Sequence, residues 1–131
     1  VGYADWLSGQ TGQTYRLPSE EEWEYATRAG ATTEYPFGEK LLPAQARYSS
    51  ITTYDAPLPG SDRTTQRNDF GLWHVIGNVR EWVAADWSPG SKVVRGGSYA
   101  SGADALRCSA REGLSATDAD DRTGFRLLRE L

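Results

Sequence analysis

Cysteine and histidine are scarce in this sequence of 131 residues, which contains one of each, Cys108 and His74. A single cysteine excludes an internal disulfide and any zinc site built from several cysteines. A single histidine excludes a metal site that takes two histidines from this chain. The sequence also has no pattern typical of a Ser/His/Asp triad, a P-loop or a dinucleotide-binding site. These absences exclude many enzyme mechanisms.

Long apolar runs and an excess of positive charge are also missing. No stretch approaches about 18 consecutive apolar residues, and no basic segment precedes an apolar one, so the sequence predicts neither a membrane span nor a targeting segment. The net charge of −4 and the pI near 5.0 argue against nonspecific binding to nucleic acid. We therefore expect no membrane and no nucleic acid among the partners, and the sequence indicates no cellular compartment.

Two helices are predicted in the first 30 residues. The i, i+3, i+4 spacing of Tyr3, Trp6 and Leu7 places them on one face of the first helix. The second helix begins after Ser19, whose N-cap position and spacing to Glu22 match a capping box, and it ends at a glycine. Trp23, Ala26 and Thr27 are expected to form its inner face.

Glycine and proline are abundant, with 14 and 6 residues, and predict much irregular chain. No hydrophobic period is sustained from residue 31 to residue 70, and short strands are predicted at 79–83, 92–95, 106–111 and 123–128. In the third of these strands Leu106 and Cys108 are expected to face inward, and in the fourth Phe125 and Leu127. The sequence therefore predicts an α+β domain with two helices, a small antiparallel sheet and long irregular loops.

Three long motifs carry a resemblance to a known family. They are YRLPSEEEWEYATRAG at 15–30, DFGLWHVIGNVREWV at 69–83 followed by Asp86 and Trp87, and RGGSY at 95–99 with LRCSAR at 106–111 and TGFRL at 123–127. Their order and content resemble the formylglycine-generating enzyme family, also called the sulfatase-modifying factor family. The resemblance implies a C-type-lectin-like fold across a single domain at 1–131.

The resemblance also implies a longer domain than this chain provides. The family has an N-terminal part for which no counterpart precedes residue 1, and we expect the domain to lack that part. Whether the chain is a fragment, a processed piece or one partner of a split domain stays open. The expected partners are an unidentified protein or small ligand, and the N-terminal part as a separate chain.

The family oxidises a sulfatase cysteine with oxygen and copper, and its copper ligands are two cysteines shortly after the Gly-Gly-Ser motif. Residues 100–105 read ASGADA and contain no cysteine, so we do not expect copper. Cys108 is expected to be a small buried hydrophobic residue. The chain is therefore expected to be catalytically silent, with a binding or structural role. The alternative is a formylglycine-generating oxidase acting on sulfatase cysteines.

A further alternative is a diversified lectin-like receptor. In some relatives the varied stretch lies between the Gly-Gly-Ser motif and the terminal Gly-Phe-Arg motif, which corresponds to residues 99–123 here. Small and polar residues are abundant in this stretch, as expected for a surface that tolerates substitution. The candidate ligand-binding residues are Tyr99, Ser101 and Asp104.

The resemblance also implies structural calcium at residues 74–81. The expected ligands are the carbonyl oxygens of Gly77 and Val79, the Glu81 carboxylate, and His74 at the position where the family has Asn or Asp. His74 offers only nitrogen, which suits calcium poorly, so whether calcium binds at this turn stays open.

Glu81 has a second interpretation, as a buried carboxylate paired with an arginine. Charged residues of the motifs are flanked by glycine and aromatic residues, where solvent access is expected to be low. The expected pairs join Arg95, Arg107, Arg111 or Arg126 to Glu81, Glu24 or Asp86, with Arg80 as a further candidate for Glu81.

Overall fold

Short helices and strands separated by long irregular segments make up the fold. A computed structural model describes residues 2–131 of the chain, and residue 1 of the predicted domain lies outside them. The elements in chain order are α1 (Gly2–Thr11), β1 (Tyr15–Arg16), α2 (Glu20–Arg28), β2 (Arg80–Ser88), β3 (Ser91–Arg95), a 3-10 helix (Ala103–Leu106), β4 (Arg111–Ser115), β5 (Thr123–Gly124) and β6 (Leu128–Arg129).

Helix α2 confirms the predicted capping box. The Ser19 hydroxyl accepts a hydrogen bond from the Glu22 amide at 3.1 Å, and the Glu22 carboxylate accepts one from the Ser19 amide at 2.8 Å. These bonds satisfy amides that the first helical turn would otherwise leave unpaired. The helix closes at Ala29, which adopts a left-handed conformation with φ 49°. As predicted, Trp23 and Thr27 are buried, at 3% and 1% exposure.

Helix α1 is also present, but its aromatic face is not buried. It ends just before Gly12, whose φ is +71° and whose amide donates to the Ser8 carbonyl. Tyr3 and Trp6 are 50% and 57% exposed, and Ala4 is the residue that the helix buries. The i, i+3 spacing therefore places two aromatic rings together on the surface.

The main sheet has four strands in the order β4-β3-β2-β5. Strands β2, β3 and β4 pair antiparallel, but β5 runs parallel to β2, so the sheet is mixed. The predicted α+β domain with two helices and a small antiparallel sheet is confirmed, and the parallel strand β5 is an addition to it. A separate antiparallel pair, β1 with β6, joins the two ends of the chain through Tyr15 and Arg129.

The predicted strand at 106–111 is wrong. Residues 103–106 form a 3-10 helix and a turn follows, in which the Cys108 amide donates to the Glu34 carbonyl. Leu106 and Cys108 are both fully buried, as the alternation predicted, but a buried turn rather than a strand places them there. The strand begins at Arg111 instead. Phe125, predicted to face inward, is 50% exposed.

Trp82 is less buried than Trp23. It lies on β2 and is only partly buried because it faces a largely apolar cleft of about 520 Å³ between this strand, α1 and β1. None of the predicted site residues lines that cleft.

Residues 31–70 contain no helix or strand, and one isolated bridge joins Tyr35 to Gly38. Two buried asparagines hold this segment against the rest of the fold. The Asn68 amide group donates to the carbonyls of Ala26 and Thr27. Asn78 exchanges two side-chain hydrogen bonds with the backbone of Leu58.

The core extends from α2 through the sheet to the long segment. Its buried members are Trp23, Tyr35, Ala46, Tyr48, Ile76, Val83, Val93 and Leu106. The long segment is therefore built into the core rather than draped over it. Among residues 2–131 there is no helix of the length and apolar character needed to cross a membrane.

Candidate functional site: a polar cleft beside residues 74–81

The segment 74–81 is a tightly packed turn that leads into β2. His74, Gly77 and Asn78 have φ of 56°, 72° and 65°, and residues 74–78 are buried. A Cβ at Gly77 would lie 2.5 Å from the carbonyl oxygen of Arg47, so only glycine fits there. The Gly77 amide also donates to the Gly96 carbonyl at 2.7 Å. The turn is thus fixed by long-range backbone contacts.

A cleft of about 450 Å³ opens beside this turn. His74, Val79 and Glu81 line it, so the structure brings together three of the four residues predicted to bind calcium. Gly77 is buried outside the cleft lining. A concave site with a few convergent polar groups is the usual form of a ligand-binding site. We therefore define this cavity, hereafter the polar cleft, as the candidate functional site.

Glu81 is a buried carboxylate paired with Arg126, which confirms one of the predicted ion pairs. Its side chain is 5% exposed, and its Oε2 lies 3.1 Å from an Arg126 terminal nitrogen. The second carboxylate oxygen accepts from Arg126 Nε and Trp23 Nε1, both at 3.2 Å. The same Arg126 nitrogen donates to the carbonyls of Trp73 and His74. One guanidinium therefore sits among four oxygen atoms.

His74 contributes a fixed ring to the polar cleft. Its Nε2 lies 2.9 Å from the backbone oxygen of Asp62. Because a carbonyl can only accept a hydrogen bond, Nε2 carries the proton. In the neutral ring Nδ1 is then an acceptor.

The donor set as folded does not fit a calcium ion. Arg126 already holds the Glu81 carboxylate, His74 offers nitrogen rather than oxygen, and Gly77 lies outside the cleft lining. Within residues 2–131, no three His, Cys, Asp or Glu side chains are grouped to hold a metal. Calcium at this turn stays a prediction.

Arg63 and Trp73 complete the polar cleft, and nothing in the sequence pattern pointed to them. The Arg63 guanidinium lies over the Trp73 indole, 5.2 Å from the ring centroid. Both residues belong to irregular chain, where neither period nor spacing indicates which side chains meet. Phe125, expected in the core, lines the same cleft.

The residues predicted to bind a receptor ligand have different surroundings. Tyr99 is buried and donates its hydroxyl proton to Asp121 at 2.9 Å. The Ser101 hydroxyl accepts from the Ser98 amide at 2.9 Å. Asp104 is exposed on the 3-10 helix. Ligand binding by Tyr99, Ser101 and Asp104 stays a prediction.

Cys108 is a free, fully buried thiol, in the position expected for a small hydrophobic residue. Burial raises the pKa of the Cys108 thiol to about 11, because removal from water penalises the thiolate. Its backbone carbonyl accepts from Arg95 at 2.6 Å. The side chain is therefore protonated and enclosed at neutral pH.

Arg95 forms a second charge network, which joins β3 to α2. The Arg95 side chain is 3% exposed and pairs with Glu20 at 2.8 Å and with Glu24 at 2.6 Å. The Glu24 pair was predicted, and the Glu20 pair was not. Glu20 also pairs with the exposed Arg111, whose hydrogen bond is the main cause of a lowered Glu20 pKa. Arg28 pairs with Glu24 from the same helix.

The fold is that of an α+β domain with two helices, a mixed sheet and a small antiparallel sheet, consistent with a C-type-lectin-like fold. The family model described as "Sulfatase-modifying factor enzyme 1-like domain" matches residues 1–131. The chain belongs to this family.

Relatives of both active and inactive description are similar to this chain. It is 32% identical over 133 residues to "Inactive C-alpha-formylglycine-generating enzyme 2" of Bos taurus, a match that covers 85% of this chain and 42% of that protein. It is 30% identical over 156 residues to "Formylglycine-generating enzyme" of Bos taurus, covering 96% and 40%. The chain spans about two fifths of the length of these relatives.

A solved structure has the same fold over nearly the whole chain. It is described as PvdO from Pseudomonas aeruginosa and superposes with a TM-score of 0.87 at 31% identity. The match covers 99% of this chain and 58% of that one.

Proposed function

We propose that this chain is a catalytically silent domain of the family with a ligand-binding role. The observation that carries the proposal is that its one thiol is buried and protonated. Cys108 is fully buried, its pKa is about 11, and no other cysteine is present. Copper in its monovalent state prefers thiolate ligands, and this chain offers no accessible thiolate to bind it.

The segment after the Gly-Gly-Ser motif supports the same proposal. The resemblance places the copper-binding cysteines in this segment, where the chain has Ser101. The Ser101 hydroxyl is occupied by the Ser98 amide and lies 3.2 Å from the Ser98 hydroxyl. A hydroxyl held in this way stabilises a turn and is a poor ligand for a soft metal. The similarity to a relative described as inactive agrees with this reading.

A turnover assay tests the proposal. The purified protein is incubated with copper, oxygen, a thiol reductant and a sulfatase peptide that contains the target cysteine. We expect mass spectrometry to detect no conversion of that cysteine to formylglycine. The Bos taurus formylglycine-generating enzyme, in the same assay, is the positive control. Conversion by this chain above a no-enzyme control would refute the proposal.

The second candidate function is formylglycine-generating oxidation, which is favoured by the 30% identity to a relative that carries that name.

A third candidate function is receptor binding through residues 99–123, which is favoured by the exposure of every residue from 116 to 122. Substituting residues 116–119 alone separates the third candidate from the polar cleft. A receptor that uses this stretch loses its ligand, whereas a ligand held in the cleft is retained.

A further inference from the structure

We propose that the polar cleft binds a carboxylate that carries a planar aromatic ring. The inference rests on the proposed binding role and names the class of ligand. Unpaired arginine donors, aromatic walls and the local charge of the cleft favour such a ligand.

Two arginines leave N–H donors unused at the polar cleft. Arg63 is exposed, and one of its terminal nitrogens donates to the carbonyls of Gly60 and Asp62 at 2.7 and 2.9 Å. Among residues 2–131 its Nε and second terminal nitrogen have no hydrogen-bond partner, and no carboxylate pairs with it. Arg126 bonds through Nε and one terminal nitrogen, so its other terminal nitrogen is unused in the same part of the chain. A guanidinium offers paired donors that match a carboxylate.

Aromatic rings form the remaining walls. Trp73 is held beneath the Arg63 guanidinium, and Phe125 is 50% exposed. Phe125 contacts Tyr3 at a centroid distance of 5.8 Å, and Tyr3 contacts Trp6 at 5.7 Å. The aromatic surface of the cleft thus continues onto α1. Exposed rings beside a cleft indicate an apolar ligand surface, which a planar ring fills well.

The local charge favours a monoanion. Arg63 and Arg126 contribute two positive charges and Glu81 one negative charge, which leaves a net charge of +1 at the cleft of a protein whose overall charge is −4. A carboxylate neutralises this charge, whereas a phosphate dianion leaves an excess negative charge beside Glu81. A small cation is disfavoured because it would add positive charge to a cleft that already carries a net positive charge. The volume of about 450 Å³ lies within the usual range for small-ligand sites.

Binding of matched probes tests the inference. Phenylacetate and phenylacetamide share one ring and differ in charge, so titration calorimetry of the purified protein measures the carboxylate contribution. We expect phenylacetate to bind about tenfold or more tightly than the amide, as charge-assisted hydrogen bonds predict. N-acetylphenylalanine distinguishes a peptide C-terminus from a free acid, and tighter binding of either one supports the inference. Equal binding of acid and amide, tighter binding of inorganic phosphate, or no binding of any probe overturns it.

Three variants locate the site. Arg63→Gln and Phe125→Ala change exposed side chains and are expected to fold, which thermal melting checks. Each should weaken phenylacetate binding, the first by about tenfold or more. Arg67→Gln removes an exposed arginine outside the cleft lining and should leave binding unchanged. If Arg63→Gln binds as the unmodified protein does, the inference is overturned.

The turnover assay keeps the two proposals separable. Absence of turnover together with absence of probe binding overturns the ligand class and leaves catalytic silence standing. Turnover of the sulfatase peptide overturns catalytic silence, whatever the carboxylate titration gives.

Discussion

Replacement of Arg95 by methionine tests how charge stabilises this fold. The side chain is 3% exposed and joins β3 to α2 through Glu20 and Glu24. It also donates to the Cys108 carbonyl and lies 5.1 Å from the Trp23 ring centroid. Methionine keeps much of the apolar stem and removes the guanidinium. Arg95→Met therefore removes the charge interactions with little change in volume.

The expected loss follows from the partners that remain. Removing one member of a buried ion pair typically costs about 3–5 kcal/mol, because the other charge is left unpaired. Glu20 and Glu24 are 18% and 31% exposed, and each keeps a second arginine, Arg111 and Arg28. We therefore expect a loss near the lower limit, about 3 kcal/mol of unfolding free energy. That corresponds to a fall of about 10 °C in Tm for a domain of this size.

Urea unfolding followed by circular dichroism measures this loss, with thermal melting as a second readout. Arg111→Met is the matched control, because Arg111 pairs with the same Glu20 but is 48% exposed. An exposed pair contributes at most about 1 kcal/mol, so the control should lose less than that. A loss below about 1 kcal/mol in Arg95→Met, or equal losses in both variants, would refute the reasoning.

Three further outcomes are expected. Trp23→Ala should cost about 3–5 kcal/mol in urea unfolding and Trp82→Ala clearly less, because Trp23 is buried whereas Trp82 is only partly buried; equal losses would contradict the burial argument. The Glu20 pKa is lowered by its Arg111 hydrogen bond, so its contribution is present above the ordinary pKa of 4.5 and is lost as the pH falls towards the folded value. Glu20→Gln should accordingly flatten the decline of the urea midpoint between about pH 5 and pH 3, and an unchanged decline would exclude Glu20 as its source. Calcium should raise the Tm of His74→Asn more than that of the unmodified protein, since asparagine supplies oxygen, and calcium at 100 times its Kd adds about 2.7 kcal/mol to the unfolding free energy. Equal Tm values in calcium and in chelator, for both proteins, would rule out calcium at this turn.

Local interactions determined the parts of the fold that the sequence predicts well. The capping box of α2 joins Ser19 to a residue three positions away, so neighbouring residues alone specify where this helix begins. The stop at Gly12 and the strand Ser91–Arg95 are likewise visible in short stretches of sequence. The long motifs identified the family, which the match over residues 1–131 confirms.

Contacts between distant residues decided the rest. Leu106 and Cys108 are apolar and two positions apart, which is the spacing of a strand. The tertiary structure instead buries them in a turn, where the Cys108 amide donates to the Glu34 carbonyl. The parallel pairing of β5 with β2 involves segments more than 40 residues apart, and no periodicity encodes its direction.

The candidate site depends both on local sequence and on the tertiary structure. The sequence suggested an arginine for Glu81, and the fold selected Arg126, 45 residues away, from several candidates. It also placed Arg63 over Trp73 beside them, within irregular chain. Hydrogen bonds within a helical turn depend on neighbouring residues and are therefore legible in sequence. A cleft depends on where distant backbone segments are fixed, and here buried asparagines and a glycine turn fix them only in the folded chain.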